Sequence, residues 1–195
     1  MIDERIWWYT ARASGLVAWA LLAASMLWGL ALTTRAFAGK AAPRWLLDLH
    51  RWLGGLSVVF VGLHLATIAA DSYEHFGLAD LFVPMASAWH PGDVAWGVVA
   101  LYLLVAVEAT SLLRRKLPHK LWRAVHTLSF PLFVLSTVHA LLAGTDTAKA
   151  WAQWSVIGAS MAVAFLSVAR SVNPNDDRPA WPERDGRDFS GASGG

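Results

Sequence analysis

The sequence has no cysteine, and only 15% of its 195 residues are charged, with 16 Lys and Arg against 14 Asp and Glu. The missing thiols exclude disulfide frameworks, thiolate zinc sites, iron–sulfur clusters and cysteine nucleophiles together. A soluble domain is typically about 25% charged, so the shortage of charge argues against a cytosolic globular protein. It also argues against a disordered chain and, with a net charge of only +2, against a nucleic-acid partner. What is present instead is 56% hydrophobic residues, twelve tryptophans and seven histidines.

A helix crossing a bilayer needs about 20 mainly apolar residues. Four stretches free of Asp, Glu, Lys and Arg qualify: 13–34, 52–70, 124–145 and 150–169. A fifth, 94–113, is interrupted only by Glu108. The expected fold is an all-α integral membrane bundle of five transmembrane helices. The second helix is expected to begin near Pro43 and the fourth near Pro118, since proline suits a first helical turn. Gly144 is the expected stop of the fourth span. The opening MIDERIWWYTAR is mixed in charge and precedes a long apolar run, which does not match a cleaved signal peptide.

Charge in the short connections sets the orientation. Arg35, Lys40, Arg44 and Arg51 follow span 1, and Arg114, Arg115, Lys116, Lys120 and Arg123 follow span 3. Asp71, Glu74, Asp80 and Asp93 follow span 2, with no Lys or Arg among them; Asp146 and Lys149 follow span 4. The expected topology puts the N-terminus outside and the C-terminus in the cytoplasm of a multi-pass cell-membrane protein in contact with lipid. Trp7, Trp8, Trp89, Trp151 and Trp154 then mark the outer interface, and Trp45, Trp52 and Trp122 the inner one. Residues 1–12 read as an outer interfacial segment, 13–170 as the membrane domain and 171–195 as a polar cytoplasmic tail.

Spans 2 and 4 run in the same direction, and each carries two histidines: His50 and His64, 14 residues apart, and His126 and His139, 13 apart. His64 precedes Asp71 by seven residues and His139 precedes Asp146 by seven, while His50 and His126 lie near Arg51 and Arg123. The four therefore form two depth-matched pairs, His64 with His139 and His50 with His126, about 20 Å apart at 1.5 Å per residue. Ionisable rings inside a membrane are costly and mark function. Two histidines on facing helices can fill both axial positions of a haem iron, so the pattern points to two b-type haems, one above the other. One difficulty is angular: 13 residues at about 100° each leave His139 about 140° out of phase with His126, and Pro131 between them is a candidate kink. His75, His90 and His119 read as exposed loop residues.

Haem propionates favour cations, which nominates Arg12, Arg51 and Arg123; Arg51 and Arg123 are equally accounted for as positive-inside flanks. Gly54, Gly55, Ser57 and Gly62 give span 2 a small-residue surface that suits either a flat macrocycle or close helix packing. Glu108 reads as an interfacial carboxylate, with proton relay or pairing to an arginine as its functional alternative.

The segments WYTARASGLVAWALL, LHRWLGGLSVVFVGLH, GVVALYLLVAVEATSLLRRKLPHKLWRAVHTLSF and STVHALLAGTD resemble the ferric reductase-like transmembrane domain. That family includes ferric reductases, the membrane part of NADPH oxidases, and the haem-bearing membrane subunit of a bacterial methionine sulfoxide reductase system. The resemblance covers about residues 7–170 and implies axial ligand roles for His50 with His126 and for His64 with His139. It also implies an electron-transfer subunit of an oxidoreductase. Complete family members continue into FAD- and NAD(P)H-binding domains, and no glycine-rich phosphate site follows Arg170 here. The expectation is thus a cytochrome b with haem b and no flavin or nicotinamide site in this chain. A separate flavoprotein or quinol would supply electrons, and ferric iron, a flavoprotein or a reductase partner on the outer side would accept them. The rival readings are a non-catalytic haem-bearing anchor subunit and, less favoured, a proton-relaying transporter.

Overall fold

The computed structural model describes residues 5–33, 44–71 and 76–172. Pro43, Arg35, Lys40, Glu74, His75 and the tail after Val172 lie outside the described residues. Among the described residues seven helices are present: α1 Arg5–Thr33, α2 Arg44–Ala70, α3 Leu78–Phe82, α4 Pro91–Leu112, α5 His119–His126, α6 Ser129–Ala143 and α7 Ala150–Val172. Taking α5 and α6 as one crossing, five segments among the described residues are long and apolar enough to span a membrane. α1 packs chiefly along α2 and α4 along α6, with α7 against α1.

The bundle is built for lipid. Its outer surface carries Trp52, Val59, Met161 and Phe165, each more than 60% exposed. Its interior holds small and hydroxylic residues: Ser14, Ser25, Ser57, Thr67 and Thr137 are all buried. Lipid tails are as apolar as leucine, so close backbone approach and internal hydrogen bonds hold such helices together. Four of these hydroxyls are satisfied within their own helices, as in Ser57 to the Leu53 carbonyl at 2.8 Å and Thr137 to the Phe133 carbonyl at 2.7 Å, whereas Ser25 Oγ meets His50 Nδ1 on α2 at 3.2 Å. Two tryptophans stitch neighbouring helices: Trp19 Nε1 donates to Thr137 Oγ1 at 3.0 Å, and Trp28 Nε1 to the Leu46 carbonyl at 3.0 Å. Apolar packing between α1, α6 and α7 centres on Met26, Leu30, Phe133 and Val163.

The fourth crossing departs from the expected single helix kinked at Pro131. It is interrupted at Thr127 and Leu128. Pro131 has no N–H to give to the Thr127 carbonyl; Phe130 N takes that carbonyl at 3.2 Å, and Leu128 N bonds the Val125 carbonyl at 2.9 Å. Both are i→i−3 bonds, the tighter 3₁₀ winding of about 120° per residue. The extra rotation recovers part of the phase lost over the 13-residue spacing. α5 begins after Pro118, and Gly144 caps α6, both as the sequence implies. The short α3, in the connection between α2 and α4, was not anticipated.

Candidate functional site

α2 supplies His50 near its basic end and His64 near its acidic end; α5 ends on His126, and α6 carries His139. The ring centroids of His50 and His126 lie 6.1 Å apart, with the planes crossed at 78°. His64 lies within electrostatic reach of His139. The first pair is thus in ring contact, drawn from separate helices. Among the described residues no group of three or more His, Cys, Asp or Glu could enclose a metal ion. Among the described residues each tier offers a pair of imidazoles.

Three of the four rings are held by one repeated device. His64 Nδ1 bonds the Ala11 carbonyl at 2.7 Å, and the ring lies on Gly15. His50 Nδ1 bonds the Ser25 carbonyl at 3.1 Å, and the ring lies on Gly29. His139 Nδ1 bonds the Asp93 carbonyl at 2.8 Å, and the ring lies on Gly97. In each case the carbonyl at position i is reached across a glycine at i+4, because a side chain there would block the approach. A Cβ on Gly15 or Gly29 would come within 3.0 Å of the imidazole, and one on Gly97 within 2.7 Å. A carbonyl only accepts, so in the neutral ring Nδ1 carries the proton and the Nε2 lone pair stays available.

The spacing that places these cradles is the histidine spacing itself. Ala11 to Ser25, Gly15 to Gly29 and His50 to His64 are each fourteen residues, on two antiparallel helices. α4 repeats half of the pattern: fourteen residues after Gly97 stands Ser111. Its hydroxyl meets His126 Nδ1 only in a long contact at 3.4 Å. His126 is held instead by Trp122, stacked on it at 5.1 Å between centroids and 23° between planes. Arg114 lies over the same indole, its guanidinium carbon 4.4 Å from the ring centroid.

The nominated arginines separate. Arg12 pairs through Nε and Nη2 with both oxygens of Asp146, on the α6–α7 connection, and lies over Trp8. Lys149 Nζ joins Asp146 at 2.7 Å. The Arg12 hydrogen bond, seconded by Lys149, holds the Asp146 carboxyl down at about 2. Arg51 is exposed and pairs with Asp48 at 3.2 Å, although its charge reaches His50. Arg123 is exposed on α5. Sequence reasoning treated Arg114 as one more loop cation and Trp122 as an interface marker; their i, i+8 separation across a turn carries no pattern that would have joined them to His126.

The small-residue surface of α2 divides. Gly54 faces Glu108, whose Oε1 would lie 2.6 Å from an added Cβ, so at that position the helix packing reading applies. Gly55 and Gly62 open onto free space. His90 caps α4 in a left-handed conformation beside Asp93, and His119 packs on Trp122 at 5.6 Å between centroids with the planes tilted by 44°.

Neither a curated protein nor a solved structure matches the chain. The family of ferric reductase like transmembrane components matches residues 14–137, nearly two thirds of the sequence, a stretch that includes three of the four paired histidines and stops two residues before His139. Transmembrane domains of this kind are generally haem-binding and serve electron transfer in membranes. The chain is a multi-pass membrane protein that belongs to the ferric reductase-like transmembrane family.

Proposed function

We propose that this protein is a membrane cytochrome b that carries electrons across the bilayer through two bis-histidine haems, one between His50 and His126 and one between His64 and His139. Its basic end faces the cytoplasm, where a separate flavoprotein or quinol donates. Its acidic end faces an outer acceptor, either ferric iron or a redox partner protein.

The observation that carries this reading is the two-tier arrangement of imidazoles, three of the four with Nδ1 already bonded to a main-chain carbonyl. Ligating histidines characteristically donate the other ring N–H to a carbonyl, which fixes the tautomer and aims the free nitrogen. Two donors per tier are too few for a bare metal ion but match axial ligation, in which a macrocycle brings the other four nitrogens. The spacing agrees as well. Two metal–nitrogen bonds of about 2 Å each, plus half the width of each ring, put axial imidazole centroids about 6 Å apart, against 6.1 Å for His50 and His126. An iron with both axial positions filled supplies one-electron transfer and offers substrate no open site. The chain's own part is to hold four rings at two depths, about 20 Å apart, and to keep them neutral and aimed.

A quantitative pyridine haemochrome assay on the purified chain tests this. Two haems per polypeptide are expected. His64→Ala or His139→Ala should each remove one, and His50→Ala or His126→Ala the other. Unchanged haem content in both His64→Ala and His139→Ala would defeat the assignment of that tier.

A further inference from the structure

Trp122 stands apart from the other tryptophans of the interior. Trp19 and Trp28 each donate to an acceptor on a neighbouring helix, whereas Trp122 Nε1 is shielded from solvent and has no hydrogen-bond partner among the described residues. Leaving a buried donor unmet is costly, so native structures rarely retain one without a reason. This donor belongs to the indole stacked on His126, and the half-buried guanidinium of Arg114 lies over the same ring, close enough for its charge to reach His126. A neutral N–H donor and a cation side by side, with no carboxylate of the chain paired to that cation among the described residues, are complementary to an anionic oxygen. Two of the arginines that the sequence nominates for a propionate are otherwise placed: Arg51 is exposed and bonded to Asp48, and Arg12 is bonded to Asp146 at the opposite end.

We propose that Trp122 Nε1 and Arg114 form a carboxylate-binding site beside His126, and that it receives a propionate of the porphyrin held between His50 and His126. The inference rests on the haem reading above. It adds an asymmetry to it. The basic-end tier is fixed by its ligands and by a peripheral carboxylate, while the acidic-end tier relies on two carbonyl-and-glycine cradles. Trp122 thereby has two tasks, since the face of the indole supports the ligand and its edge supports the macrocycle.

The test reconstitutes the full-length apoprotein, in neutral detergent, with protohaem or with its dimethyl ester, in which both carboxylates are capped. In a His64→Ala background, which leaves the His50/His126 tier alone, protohaem should bind about tenfold or more tightly than the ester, the discrimination expected of a hydrogen bond to a charged group. Trp122→Phe, which keeps the stacking surface and removes the donor, should bring the two affinities close together while retaining the low-spin bis-histidine spectrum. Arg114→Gln should act in the same direction, and serves as the second probe if the indole proves necessary for folding. Equal discrimination in wild type and both variants would overturn the carboxylate site and leave the haem reading standing. No uptake of either porphyrin would overturn both. In a separate arm, the haem-free protein is titrated with vesicles of anionic phospholipid. A saturable fluorescence response that disappears in Arg114→Gln, which keeps the indole as reporter, would assign the site to a lipid phosphate and overturn the propionate.

Discussion

Replacing Gly97 with alanine sets two opposing effects against each other, and the structure says which one wins. Alanine is the better helix former by about 1 kcal/mol. At this position, however, its methyl would sit 2.7, 2.8 and 2.9 Å from three ring atoms of His139, where ordinary contact begins at about 3.4 Å. The imidazole must withdraw by about 0.5–0.7 Å to restore ordinary contact. The bond from His139 Nδ1 to the Asp93 carbonyl, now 2.8 Å, then stretches beyond useful length. Overpacking of this kind costs about 1–3 kcal/mol, and the lost hydrogen bond about 1 kcal/mol more. The net expectation is a destabilisation of about 1–3 kcal/mol together with misdirection of one ligand. Gly158→Ala, on α7, is the matched control, since an added Cβ there meets nothing within 4 Å and only the propensity gain remains. Haem stoichiometry and thermal unfolding of the purified chain read both consequences. Gly97→Ala should lose the His64/His139 haem and melt below wild type, while Gly158→Ala keeps both haems and melts at or above it. A Gly97→Ala protein with two haems and undiminished stability would refute the cradle argument.

Two further outcomes follow from polar contacts away from the rings. Asp146 titrates near 2 when folded and near 4 when unfolded, so the stabilisation from its tie to Arg12 and Lys149 is complete above about pH 4 and lost as pH falls toward 2; melting curves of wild type should show this acid loss, and those of Asp146→Asn should not. Trp19→Phe removes the bond to Thr137, whose hydroxyl keeps its own acceptor at the Phe133 carbonyl, so thermal unfolding should register a loss near the low end of about 0.5–1.5 kcal/mol.

The crossings and the two histidine tiers were legible in the sequence because charges bracket each apolar run, and because depth along a helix is a simple count from those charges. The angular positions were not. Thirteen residues at helical pitch set His126 and His139 on different faces, and only the interruption before Pro131 shows how the chain adjusts. The cradles were half visible: Gly15 and Gly29 repeat the interval of His50 and His64, but a bond to a main-chain carbonyl leaves no mark on residue identity. The pairing of Arg12 with Asp146 joins positions 134 residues apart, which no local pattern connects. A cation near the membrane end of a haem-type bundle invites a propionate reading until its own carboxylate is seen.

The two-residue interruption at Thr127 and Leu128 has an evolutionary consequence. It makes the rod bearing His139 and the stub bearing His126 separate mechanical parts. Mutations that tilt or slide one can accumulate without re-aiming the other. If the two histidine pairs hold haems as proposed, the two sites can therefore be tuned apart, a freedom that α2, unbroken between His50 and His64, does not offer.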